Sequence, residues 1–187
     1  NLIKEQQKKI GIGIVKKQDI SEKQVNHIYL AIGSNLGNRV QNIQKSKFEL
    51  ERFKIKILKS SSHYISESWP NPLMPMYVNI VLKVKTNLNP LEILKVCNSI
   101  ESKLGRIRSE KNSPRPCDID IIDYNGKILN KKNNKLILPH PRMTKRNFVL
   151  LPLFEVNKSW KHAKLKMNIV ELINTLPIKD LRSIKQL

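Results

Sequence analysis

Residues 117–124 read CDIDIIDY. Ile119 and Ile121 alternate with Asp118 and Asp120, the period-two signature of a strand with one apolar and one polar face. Upstream, residues 89–105 carry the best delimited helix of the chain: Asn89 can cap it, Pro90 suits its first position and Gly105 can close it. Its apolar stripe reads Leu91, Leu94, Val96 or Cys97, Ile100 and Leu104. Before it, Tyr77 to Val84 is rich in Val and Ile and reads as a strand, as does an alternating stretch from Ile55 and Ile57 through Ser61–Ile65. Earlier still, HIYLAIGS at 27–34 reads as a buried strand ending in a Gly-Ser turn. Helical spacing follows over Asn35–Phe53, through Leu36, Val40, Ile43, the Lys47 stem, Leu50 and Phe53. With the strand at 117–124 the order becomes strand, helix, strand, strand, helix, strand. That order predicts an α+β, ferredoxin-like split β-α-β sandwich, an antiparallel sheet with helices on one face. PHPRMTKRNFVLLPLFEVN at 139–157 adds a turn and a helix, the first of some extra C-terminal helices.

The chain of 187 residues suits one domain, and 40% hydrophobic content suffices for a core. Residues 1–26 hold one short apolar run and read as an N-terminal extension or linker, leaving 27–187 as the domain. No stretch reaches the length of a membrane span, and the first residues lack the order of a signal peptide, so a cytoplasmic protein without a membrane partner is expected. Cys97 and Cys117 stand far apart without a CxxC pair and read as small buried residues. A formal charge of +20 suits anionic partners, although abundant Lys, Ile and Asn also follow from an A/T-rich coding sequence. The arginines say more. Of eight, five (Arg106, Arg108, Arg115, Arg142, Arg146) fall within about forty residues, where a planar fork for phosphate oxygens is one reading and surface charge the other.

Asp118 and Asp120 point to one face, their Cα atoms roughly 6 to 7 Å apart. Two carboxylates on one face suit a magnesium ion shared with substrate phosphates; a solvated strand face is the plainer alternative. The preceding arginines favour the first, since acids, magnesium and guanidinium groups together make a phosphoryl-transfer apparatus. No P-loop sequence occurs, and GIG at 11–13 lacks the strand-to-helix context of one. His140, between two prolines, reads either as a donor to a phosphate or leaving group or as a structural histidine, the commoner case, whereas His27, His63 and His162 have no metal spacing. Asp123, of opposite parity, is a weaker candidate. Tyr77 and Asn79, two apart, with Phe148 after the basic TKRN segment, suit a flat heterocycle, with rings to stack on its faces and an amide to read its edge; for Phe148 core packing is the plainer and favoured alternative. The prolines of SESWPNPLMP at 66–75 exclude helix and central strand, leaving a long irregular loop, a type often functional, with an ordinary surface crossover as the alternative.

Five ordered segments carry a resemblance: AIGSNLGNR, SESWPNPLMPMYVN, IESKLGRIR, SPRPCDIDIIDY and LPHPRMTKRNFVLLPLFEV. Between about His27 and Val156 the chain resembles the 6-hydroxymethyl-7,8-dihydropterin pyrophosphokinases of the folate pathway. The resemblance implies transfer of the β,γ-pyrophosphoryl unit of ATP to the dihydropterin hydroxymethyl group, with AMP as the other product. It implies that Asp118 and Asp120 hold two magnesium ions, and that Arg106 and Arg115 are catalytic contacts to phosphate. Asn98, Glu101, Arg108, Ile121, Lys135, His140 and Arg146 would serve the nucleotide. Tyr77 and Phe148 would stack on the pterin, with Asn79 and the backbone around Ser66 reading its edge. Asn112 stands where some members have a tryptophan, and Trp69 would take over packing on the pterin. Family members are often fused to neighbouring folate enzymes, to which residues 1–26 would link this one. The rival reading, a basic RNA-binding module of the same topology, lacks the aromatic and glycine pattern on its central strands, and the two acids oppose it.

Overall fold

A computed structural model describes residues 25–68, 71–107, 113–130 and 136–187. The strands are β1 (Asn26–Ser34), β2 (Lys56–Ser60), β3 (Tyr64–Ser66), β4 (Tyr77–Thr86), β5 (Asp118–Tyr124) and β6 (Lys185–Gln186). The helices are α1 (Arg39–Arg52), α2 (Pro90–Lys103), α3 (Asn147–Val156), α4 (Ile169–Asn174) and α5 (Ile178–Arg182), with a 3-10 turn at Met143–Lys145. The sheet runs β5-β1-β4-β3-β6, with β2 also on β4, and each pairing is antiparallel. The central strands therefore follow the expected split β-α-β order. The second extended stretch divides into β2 and β3, which share β4 as partner.

Both faces of the sheet are buried. On one, Ile28, Leu30 and Ile32 of β1 meet Ile43 and Leu50 of α1, Ile93, Cys97 and Ile100 of α2, and Ile119 and Ile121. On the other, Tyr29, Val81 and Ile122 meet Val149, Leu150 and Leu153 of α3, together with Ile169 and Leu172 of α4. Helices on one face alone is thus corrected: apolar residues of both parities in β1 and β4 need cover on each side, and α3 and α4 provide it. Asp123 corrects the parity argument as well. Tyr29 pairs with Asp123 and Leu30 with Ile121, so Ile122 is an extra residue, a bulge that turns Asp123 toward the second core. There its carboxylate accepts from Trp160 Nε1 and from the Gly126 amide, both at 2.8 Å.

The second helix has the foreseen caps, with a reciprocal Asn89–Glu92 capping box and Gly105 at φ +89° beyond its end. Ile93, however, takes the core position given to Leu91, which is exposed. The first helix starts at Arg39 rather than Asn35, because Gly37 turns at φ +64° and the Asn38 side chain accepts from the Gln41 amide. Leu36, Val40 and Phe53 are exposed, and the buried face is Ile43, Ser46, Glu49 and Leu50. Cys97 and Cys117 are buried free thiols, both pushed up by burial. Among the described residues, no helix is long and apolar enough to cross a membrane.

Candidate active site

The site lies on the α3 side of the sheet, where β1 ends between β4 and β5. Gly33 pairs with Asn79 on one side and with Asp118 on the other, and Ala31 sits two residues earlier opposite Val81 and Asp120. These small residues leave a cleft floored by β1. Ser66, Glu67, Tyr77 and Asn79 line one half; Arg106, Arg115, Asp118, Asp120, Arg142 and Arg146 line the other, with Phe148 and Val149 at the start of α3.

The acidic and basic groups are interlocked. Asp118 Oδ1 accepts from Arg106 Nη1 at 2.7 Å and from Arg115 Nη1 at 3.4 Å. Asp120 Oδ2 accepts from Arg146 Nη1 at 2.9 Å and lies 3.7 Å from His140 Nε2. His140 Nδ1 in turn accepts from the Arg142 amide at 3.2 Å, which leaves any proton of a neutral ring on Nε2. Burial holds the His140 imidazole below its ordinary pKa, against the pull of Asp120, so near neutral pH the ring is a neutral donor. Among the described residues, hydrogen bonds reach only Oδ1 of Asp118 and only Oδ2 of Asp120, leaving one oxygen of each carboxylate for a cation. Two hard oxygen donors suit magnesium, which completes its octahedron with water and phosphate oxygens. No cluster of three or more His, Cys, Asp or Glu that would hold a metal by protein ligands alone occurs among the described residues.

In the other half, Asn79 is 6% exposed and its Nδ2 donates to Ser66 Oγ at 3.0 Å, which fixes the orientation of the amide. Tyr77 neighbours Arg115 and Asp118, and burial raises its phenol. The Arg146 guanidinium stands 5.4 Å from the centre of the Phe148 ring, so one arginine spans both halves.

Most of the expected site residues converge here, but four of those described do not line the cleft: His140, which stands behind Asp120, and Glu101, Ile121 and Asn98. Glu101 is buried, where its Oε1 accepts from the Ile119 amide at 2.7 Å and pairs with Arg106. Burial raises its carboxyl, against the Ile119 amide and Arg106, and the side chain is placed to orient Arg106. The Ile121 side chain points into the first core, and Asn98 is half-buried on α2. Trp69, Arg108 and Lys135, like residues 1–24, lie outside the described residues.

Arg142 stood in the sequence only as one of the clustered arginines, and Gly33 went unassigned, although AIG in the first strand placed two small residues on one face. Asn35 was missed as well. Its Oδ1 accepts from the Arg115 amide at 2.8 Å, its own amide donates to Arg115 O at 3.1 Å, and its Nδ2 donates to Pro75 O at 3.2 Å and Ser68 Oγ at 3.4 Å. One side chain, 2% exposed, thus ties the loop before β4 to the segment before β5. Asn35→Ala would leave the Arg115 amide buried without its acceptor. A loss of about 2 kcal/mol of unfolding free energy in urea is expected, together with slower turnover.

A model of the 7,8-dihydro-6-hydroxymethylpterin-pyrophosphokinase family matches residues 29–158, across the sheet, the cleft and α3. The chain belongs to this family. A 2-amino-4-hydroxy-6-hydroxymethyldihydropteridine pyrophosphokinase of Aquifex aeolicus is 35% identical over 155 residues, covering 83% of this chain and 89% of that protein. Folic acid synthesis protein FOL1 of Dictyostelium discoideum is 39% identical over 154 residues, covering 81% of this chain. The chain spans only 23% of that protein and 21% of its Pneumocystis carinii counterpart. Among solved structures, the wild-type HPPK-DHPS of Plasmodium falciparum with pteroate superposes with a TM-score of 0.64 at 18% identity, covering 81% of this chain and 42% of that one. The fold is therefore shared with part of a longer chain.

Proposed function

We propose that this pyrophosphokinase domain transfers the β,γ-pyrophosphoryl group of ATP to 6-hydroxymethyl-7,8-dihydropterin, giving AMP and the dihydropterin diphosphate in folate biosynthesis. One observation carries the reading: a single cleft holds an aromatic and amide half at β3 and β4 beside a half made of two carboxylates and four arginines. Tyr77 and Phe148 would take the faces of the pterin and Asn79 its edge. Asn79, already fixed by Ser66, can choose among heterocycles because it need not reorganise.

Asp118 and Asp120 would hold magnesium with the triphosphate; bound there, magnesium neutralises phosphate charge and favours attack at phosphorus. Arg106 and Arg115 are held by Asp118 and thus aimed at the same space, where their forks suit the oxygens that gain charge during transfer. His140 presents Nε2 beside Asp120, placed to donate to the leaving side of the triphosphate. Glu101 keeps Arg106 in place from beneath. Trp69, Arg108 and Lys135 stay in the proposal on the resemblance alone, Trp69 as a cover over the pterin and the two basic residues as nucleotide contacts. Asn98 and the Ile121 backbone are offered to the nucleotide on the same ground.

Fused relatives support a covalent or functional link to a neighbouring folate enzyme through residues 1–26, and the reaction is placed in the cytoplasm. The test is AMP release from ATP and magnesium by the purified chain. AMP that depends on added dihydropterin supports the reading, and AMP formation indifferent to the pterin sinks it.

A further inference from the structure

The two walls assigned to the pterin are joined from behind by residues 178–187, which lie past the end of the family match. Asn147, the first residue of α3, is 9% exposed. Its Oδ1 accepts from the Phe148 amide at 2.7 Å, while its Nδ2 donates to the Asp180 carbonyl and to Ser183 Oγ, the latter at 3.2 Å. Ser183 Oγ also donates to the Asp180 carbonyl, at 2.9 Å, so α5 and the turn after it converge on this one amide.

A few residues on, the chain reaches the other wall. Lys185 and Gln186 pair with Ile65 and Tyr64 of β3, and the Leu187 amide donates to His63 O at 2.8 Å. β3 has three residues, among them Ser66, the partner of Asn79. Without β6 it would be a short edge strand bonded to β4 alone. From α3, Glu155 accepts from the Ser62 amide, Ser62 Oγ and Tyr64 hydroxyl, each at 2.9 Å. Burial and then this carboxylate push the Tyr64 phenol up to about 12, which keeps it a donor. A closed circuit results, from Phe148 through Asn147 and residues 180–187 to β3 and Ser66.

We propose that residues 178–187, latched by Asn147, are a positioning element of the pterin subsite. This inference rests on the reading of that half of the cleft as the pterin site. None of these residues lines the cleft among the described residues, so they act through Phe148 and Ser66. A stacked ring gains affinity only when its walls are already at the correct separation, because ordering them on binding costs free energy. A five-residue helix and a two-residue strand have little stability of their own and depend on such latches.

Asn147→Asp is the discriminating variant. It keeps an acceptor for the Phe148 amide and removes the donor to Asp180 and Ser183. A second variant ends the chain at Ile184 and so removes β6. For each, the dissociation constant of 6-hydroxymethyl-7,8-dihydropterin is read from its fluorescence, that of a non-hydrolysable ATP analogue with magnesium by calorimetry, and Tm by scanning. The pterin constant and KM should rise about tenfold, the equivalent of one or two wall side chains that must be ordered on binding. Nucleotide affinity should stay within about twofold, with kcat recovered at saturating pterin. Unchanged pterin affinity, or equal losses for both ligands alongside a fallen Tm, would overturn the inference. Failure of the unaltered chain to bind pterin would instead remove the subsite assignment, and the inference with it.

Discussion

Asp120→Ala should lower pterin-dependent AMP release by at least about 10³-fold in kcat, while pterin affinity stays within about twofold. The asymmetry follows from the layout. Asp120 is on β5 and the pterin walls are on β4 and α3, with Gly33 between the two groups of residues. Removing Asp120 leaves Arg106, Arg115, Arg142 and Arg146 facing the cleft, so the triphosphate should still bind. What is lost is an anionic oxygen for the cation, together with the anchor that holds Arg146 at 2.9 Å. Asp120→Asn separates the two effects, since its amide oxygen can still accept from Arg146 but supplies no charge. Single-turnover AMP formation with both ligands saturating is the measurement, and a rate within tenfold of the unaltered chain would refute the metal assignment.

Gly33→Ala should strike the other half. A Cβ at Gly33 would stand 2.9 Å from Asn79 Oδ1 and 3.3 Å from Tyr77 Cδ1. Asn79 has nowhere to retreat, being buried and bonded to Ser66. Gly33 is not among the residues of positive φ, so alanine brings no backbone strain and the methyl group acts through the space it takes. The pterin dissociation constant is expected to rise at least tenfold, roughly the 1.4 kcal/mol of a displaced edge contact, with nucleotide affinity little changed. Fluorescence titration of the dihydropterin decides it, and an unaltered titration curve would show that Asn79 is not the edge reader.

Reading the sequence succeeded where structure is written locally. Asn89, Pro90 and Gly105 mark α2 by their own hydrogen-bonding chemistry, and the alternation at 118–121 places two acids on one face without reference to the rest of the chain. It faltered where a partner far along the chain decides. Ser46 and Glu49 are polar yet buried on α1, since Ser46 Oγ meets Cys117 Sγ at 3.1 Å and Glu49 meets Lys103 at 2.8 Å. The second helical layer was glimpsed only as extra helices, because α4 and α5, with six and five residues, are too short to display a periodicity. Asn35 read as the start of the first helix, and only the assembled loops reveal how much it holds. The individual ligand roles came from the resemblance, since neither charge nor spacing distinguishes a residue that meets phosphate from one, like Glu101, that supports its neighbour.

The bulge at Ile122 gives β5 two unlike halves. Three aspartates fall within six residues, and a regular strand would have sent the third toward the core opposite the first two. The extra residue resets the phase, so the same residue type serves an open, charged cleft at 118 and 120 and a sealed bond to Trp160 at 123. The face of Asp123 is therefore set by the bulge and not by its number in the strand: pairing Ile122 in register would turn the carboxylate into the first core, whereas deleting Ile122 would keep Asp123 opposite Tyr29 and cost the second core a buried side chain.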